Sequence, residues 1–207
     1  VFSSLGDWLG LLATTAMAQQ LSGGSYTTAN FAIAGVFIAR LLPAVFLGPI
    51  AGVIADRLDR RKLMVSADVM RAALYISIPI VNTYFWLYTA MILVECLTLF
   101  WSPAKEATVP NLVGKEKLEN ANQVSLLAAY GTAPIAAILF SLLTLFANAI
   151  ESLFPFSIGG SIDIALYVNA ASFAFAALTI WGLKEIPKGA AAKKAKDEGV
   201  LKSLHDG

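Results

Sequence analysis

Between Asp7 and Arg40 the chain carries no charged side chain, a stretch too long for one crossing of a bilayer. A hydrocarbon core about 30 Å thick takes roughly 20 helical residues, and within it every backbone N–H and C=O must be satisfied inside the segment. A charge-free run of this length therefore points to membrane-spanning helices, and "SGGSYTT" at Ser22 to Thr28 supplies the turn between two of them. The composition agrees: 57% of the 207 residues are hydrophobic and 14% charged, with a mean hydropathy of +0.70. That is more apolar and less charged than a soluble domain of this size.

The apolar stretches predict six spans, roughly 4–22, 28–55, 63–82, 84–104, 121–148 and 163–183. The expected fold is thus an all-α, polytopic bundle of six transmembrane helices over residues 1–184. Residues 185–207, rich in lysine and poor in apolar side chains, are expected to form a cytoplasmic linker leading to a further part of the protein. Pro43, Pro49, Pro79 and Pro134 fall inside these spans and are expected to kink them, because neighbouring helices can satisfy the carbonyls that a proline frees.

Lysine and arginine are distributed unevenly. Arg57, Arg60, Arg61 and Lys62 follow the second span, Lys105, Lys115 and Lys117 the fourth, and six lysines from Lys184 to Lys202 the sixth, whereas the opposite loops have none. The positive-inside rule then places both ends of the chain in the cytoplasm. Trp8, Tyr26, Tyr84, Trp86, Trp101 and Trp181 lie near span ends and suit interfacial belts.

Five ionisable residues fall within the spans: Asp7, Arg40, Asp68, Arg71 and Glu95. Such groups are costly in lipid and face a cavity or a partner. At 1.5 Å per residue Arg40 and Glu95 both come near the midplane, where they can pair. Asp68 and Arg71 share one face of the third span, with Asp7 at a similar depth on the first, a second candidate cluster. Two readings follow for these charges. Glu95 or Asp7 exchanges a proton as the site opens to either side, with Arg40 on the same substrate or proton pathway; or the charges are permanent pairs that lock helices together.

The segment "GVIADRLDRRK" concentrates charge in the turn after the second span. It resembles the loop signature of major facilitator superfamily transporters, G-x-x-x-D-R-x-G-R-R/K, matched by Gly52, Asp56, Arg57, Arg60 and Arg61; Asp59 stands where the signature has its second glycine. "SSLGDWL" and the segment from Leu99 to Gln123 are similar to the exporters of macrolides and enterobactin in that superfamily. The resemblance implies the N-terminal half of a twelve-helix fold built on a three-plus-three inverted repeat. It implies further a secondary active exporter of small amphipathic compounds working by alternating access in the bacterial inner membrane, with the Asp56 and Arg60 loop as a cytoplasmic gate. Asp68 and Arg71 would support that gate. The fourth-span arginine of proton-coupled members has no counterpart, and their fifth-span G-P-x-x-G-G is reduced to "APIAAI", leaving Gly131 and Pro134 as helix-packing positions.

The expected partners are membrane lipid, a small-molecule substrate, and either a C-terminal six-helix half or an attached soluble domain. The last belongs to a rival reading, a transporter-like anchor for a soluble enzyme such as a thymidylate-kinase-like domain. Enzyme chemistry lacks its residues: His205 is the single histidine, Cys96 the single cysteine, and no nucleophile elbow, phosphate loop or metal-ligand cluster occurs. No catalytic residue, metal or cofactor is expected, and no basic face with interleaved aromatics suggests nucleic acid.

Overall fold

Helices account for nearly all of the computed structural model, which describes residues 2–113, 117–153 and 160–183. In chain order they are α1 (Phe2–Leu21), α2 (Tyr26–Arg57), α3 (Arg60–Val81), α4 (Tyr84–Val113), α5 (Leu118–Tyr130), α6 (Thr132–Leu153) and α7 (Ser161–Gly182). Among the described residues there is no strand. Five stretches among the described residues are long and apolar enough to cross a membrane: Tyr26–Gly48, Arg60–Val81, Tyr84–Val109, Glu119–Ala149 and Ser161–Gly182. The expected first span is a helix of 20 residues, α1, but Asp7, Thr14, Thr15, Gln19 and Gln20 keep it more polar than those five. Residues 184–207, including the expected linker, lie outside the described residues.

The turns follow their local chemistry. Gly23 and Gly24, at φ +62° and +89°, reverse the chain between α1 and α2, a conformation that residues with a Cβ rarely adopt. Ser25 caps α2, its hydroxyl oxygen accepting from the Thr28 N–H at 3.4 Å. Asn82, left-handed at φ 49°, ends α3 with its N–H on the Ile78 carbonyl. Asp59, the departure from the loop signature, caps α3: Oδ1 accepts from the N–H groups of Arg61 at 3.1 Å and Lys62 at 3.2 Å. A carboxylate there also faces the positive end of the helix dipole.

Two expectations about helix ends are corrected. The fourth span continues nine residues past its expected end at 104, to Val113, so much of the expected loop is helix. Lys105, Glu106 and Ala107 are good helix formers, Thr108 Oγ1 donates to the Ala104 carbonyl at 2.7 Å, and Arg60 donates to the Ala107 carbonyl at 3.0 Å. The fifth span is two helices meeting at Gly131. Pro134 sits in the first turn of α6, where its missing N–H leaves no gap, and Gly131 before it stays right-handed helical (φ −69°, ψ −16°) with its N–H on the Leu127 carbonyl. α2 and α3, by contrast, run through Pro43, Pro49 and Pro79 as helix.

α2 packs along α4, α3 lies between α4 and α7, and α1 contacts α2, α6 and α7. The core where these meet holds Met17, Val36, Tyr75, Leu87, Met91, Leu166 and Phe173. Buried positions on α3 (Met64, Ala67, Asp68, Arg71, Ala72, Tyr75, Ile78) recur at three- and four-residue steps, the stripe of a helix packed on one side. On α2 and α6, Phe37, Leu41, Val45, Ile138, Leu142 and Phe146 are exposed instead. Apolar side chains pointing out of a bundle are what lipid or another bundle requires.

Candidate functional site

The ionisable residues within the spans come together. Arg40 on α2 places Nε 3.0 Å from Glu95 Oε1 on α4. Arg71 on α3 is fully buried and reaches two carboxylates, Asp68 Oδ1 at 2.8 Å one turn back on its own helix and Asp7 Oδ1 at 3.8 Å on α1. Asp7 joins the two groups, because its backbone carbonyl accepts from Arg40 at 3.5 Å. Two guanidinium groups and three carboxylates from four helices thus form one connected network.

Aromatic side chains complete it. The Arg71 guanidinium lies 5.0 Å from the Trp101 ring centroid and 4.8 Å from that of Phe173. The ring faces are electronegative and attract the cation where water is excluded. Trp101 Nε1–H also donates to Asp68 Oδ2 at 3.2 Å, so one residue serves both members of the ion pair. Tyr75 stacks on Phe173 at 5.6 Å between centroids. Nothing in the spacing of the sequence points to Trp101, which lies 33 positions from Asp68.

The tryptophans expected near span ends also make contacts between helices. Trp8 Nε1–H donates to the Ala129 carbonyl at 2.7 Å, Trp86 Nε1–H to Ser77 Oγ at 2.8 Å, and Trp181 receives Arg61 over its ring at 5.2 Å. These rings hold helices to one another, whatever their depth.

α1 reaches the network closely because it presents glycine. A Cβ on Gly10 would stand 2.5 Å from Tyr75 Oη and 2.7 Å from Asn169 Nδ2, and one on Gly6 would stand 2.6 Å from Ser172 Oγ. Asn169 is fully buried on α7 beside both glycines.

At the basic end, Arg60 ties the start of α3 to α4 through Ala107, and Arg61 ties it to α7 through Trp181. The side chains of Asp56 and Arg57 lie outside the described residues, so their expected gating contacts do too. At Gly52, the first position of the loop signature, a Cβ would meet nothing within 4 Å among the described residues. Gly131 and Pro134, expected to pack against a neighbouring helix, are exposed. Among the described residues no group of histidine, cysteine and carboxylate side chains could hold a metal.

A family profile for transmembrane secretion effectors, within the major facilitator superfamily, matches residues 1–207. The chain belongs to that family. Its relatives include the MFS-type transporter YfiS of Bacillus subtilis, 28% identical over 215 residues that cover 99% of this chain and 45% of the relative. Macrolide efflux protein A of Enterococcus faecalis is 37% identical over 82 residues, covering 37% of this chain and 25% of the relative. The MFS-type transporter YkuC of Bacillus subtilis is 31% identical over 157 residues, 72% of this chain and 32% of the relative. The chain spans less than half the length of each of these relatives. No solved structure matches it significantly. Family, relatives and apolar helices together make this a multi-pass membrane protein of the transporter class, with efflux proteins among its relatives.

Proposed function

We propose that this bundle is part of a secondary active exporter that moves small amphipathic compounds out of the cell by alternating access. The observation that carries the reading is the network of Asp7, Arg40, Asp68, Arg71 and Glu95 across four helices of a lipid-embedded bundle. Charges at such depth are retained where they line a pathway or change partners, and a cluster drawn from several helices responds whenever those helices shift. Three carboxylates against two guanidiniums leave one negative charge over if all are ionised. Proton exchange at Glu95 or Asp7 removes that excess and couples a gradient to the shift.

In this reading α1 is a sixth span, both ends of the bundle lie in the cytoplasm, and a companion bundle covers the exposed apolar faces of α2 and α6. The cytoplasmic gate is the turn around Asp56, Arg57, Arg60 and Arg61, supported by Asp68 and Arg71. Gly52, Gly131 and Pro134 serve as packing positions toward the companion. The relatives favour export over uptake, and a macrolide is the first substrate to try, since macrolide efflux protein A is among them.

The test is uptake of a radiolabelled macrolide into inverted membrane vesicles containing the complete protein, with and without a proton gradient. Wild type is expected to accumulate it in a gradient-dependent way, with Glu95→Gln and Asp56→Asn impaired. Flux equal to wild type in both variants removes the roles given to these residues.

A further inference from the structure

The charge network ends against α7 in polar atoms that no hydrogen bond satisfies. Asn169 is fully buried, yet neither its Nδ2 nor its Oδ1 has a hydrogen-bond partner among the described residues. Arg71, also fully buried, is held by charge and by ring faces, while its Nε, Nη1 and Nη2 and the Asp68 Oδ1 beside them lack bonds of hydrogen-bonding geometry. Its separation of 3.8 Å from Asp7 is past hydrogen-bond length. Burying a donor or acceptor without a partner forfeits its hydration with no return, so in folded proteins such groups pair with one another or with ordered water.

These atoms lie at one junction. Arg71 and Tyr75 are one turn apart on α3, Asn169 and Phe173 one turn apart on α7, and the Phe173 ring meets both α3 residues, at 4.8 Å from the guanidinium and 5.6 Å from the Tyr75 ring. Tyr75 Oη and Asn169 Nδ2 stand 2.5 and 2.7 Å from the same point, the place of a Cβ on Gly10, so a single water can reach both. Donors and acceptors are mixed there: the guanidinium and amide N–H groups donate, and the Asn169 and Asp68 oxygens accept. Water serves both kinds. Exposure of 0–1% at Arg71, Tyr75, Asn169 and Phe173 closes the junction to anything much larger.

We propose that the junction of α1, α3 and α7 is a hydration site, with one water bridging Asn169 to Tyr75 and another bridging Arg71 to its carboxylates. The six orphaned atoms of Asp68, Arg71 and Asn169, at roughly three hydrogen bonds per buried water, call for about two molecules. Asp7, whose side chain is 32% exposed, is the way in. The waters extend the network to α7, the helix at this junction that contributes no charge to it. The site follows from burial and hydrogen bonding and does not depend on transport.

X-ray hydroxyl-radical footprinting of the complete protein in lipid nanodiscs tests this, because irradiation turns bound water into radicals that oxidise the side chains beside it. Oxidation is read by peptide mass spectrometry and normalised to the denatured protein. Tyr75 and Phe173 are expected to be oxidised despite their burial, at rates approaching that of the exposed Tyr26, while Leu87, equally buried on α4, stays unmodified. Asn169→Leu, which removes the amide and fills its space, should reduce oxidation of Tyr75 to the level of Leu87 and leave that of Tyr26 unchanged. Protection of Tyr75 and Phe173 equal to that of Leu87 in the wild type overturns the proposal, as does oxidation of Tyr75 that persists in a folded Asn169→Leu protein. Should the leucine variant not fold, the wild-type contrast decides. Footprinting needs neither substrate nor gradient, so a dry junction leaves macrolide flux standing, and a lack of flux leaves the hydration site standing.

Discussion

Arg40 Nε lies 3.0 Å from Glu95 Oε1, an ion pair that ties α2 to α4 in the interior of the bundle. The two side chains are 26% and 15% exposed, so each is partly but not fully shielded. Removing one member of a fully buried pair costs about 3–5 kcal/mol, and partial exposure lowers that toward about 1–3 kcal/mol. Glu95→Gln and Arg40→Met should each destabilise by that amount in thermal unfolding of detergent-solubilised protein. The double variant should recover more than half of the summed loss, since neither charge is then stranded. Strictly additive losses would show that the pair is not energetically coupled.

Arg71 is fully buried, with Trp101 and Phe173 over its plane and Asp68 and Asp7 at its edge. A planar guanidinium can face two rings and two carboxylates together; a lysine ammonium, a compact point charge, cannot. Arg71→Lys is therefore expected to lose about 2 kcal/mol or more despite keeping the charge. Arg71→Met should lose more, because it strands Asp68 as well. Fluorescence-detected size-exclusion profiles after graded heating would read both. A lysine variant as stable as wild type would show that charge alone matters at this position.

The parts of this architecture that depend on local pattern were legible in the sequence, and those that depend on long-range contact were not. Apolar run length and the glycine pair at Gly23 and Gly24 placed the helices and the first turn, because lipid and backbone geometry act locally. Depth counting brought Arg40 opposite Glu95, as the two helices show. It also grouped Asp68, Arg71 and Asp7. Trp101, Phe173 and Gly10 joined the site only through tertiary packing, which no spacing rule encodes. The break at Gly131 was hidden because a proline in the first turn of a helix and one inside a helix look the same in an apolar run.

Gly10 and Gly52 separate packing from signature. A methyl group on Gly10 meets Tyr75 Oη and Asn169 Nδ2, and overpacking of this kind typically costs about 1–3 kcal/mol. Gly10→Ala should destabilise accordingly, and Tyr75→Phe, which removes the nearest atom, should restore part of the loss. Gly52→Ala has open space and gains helix propensity, so its melting temperature should equal or slightly exceed wild type. If Gly52→Ala nevertheless lowers macrolide flux, its glycine is needed by a surface or a state other than this one. Melting curves and flux on the same preparations decide this, and a Gly52→Ala protein as unstable as Gly10→Ala would contradict the open space.

Thr27, at the start of α2, and Lys62, in the first turn of α3, are both exposed and stand at opposite ends of the long second helix. The basic turn around Lys62 has to stay in the cytoplasm if the positive-inside rule governs this chain, which leaves Thr27 facing outward. Cys96 is the single cysteine of these 207 residues, so a background with Cys96→Ala and every cysteine elsewhere in the complete protein replaced leaves an introduced thiol as the sole target. In the complete protein, a Thr27→Cys thiol should react with a membrane-impermeant maleimide in right-side-out vesicles and be protected in inverted ones. A Lys62→Cys thiol should show the opposite pattern. Reaction of the Lys62→Cys protein in right-side-out vesicles would reverse the orientation, and with it the direction of transport proposed for the bundle.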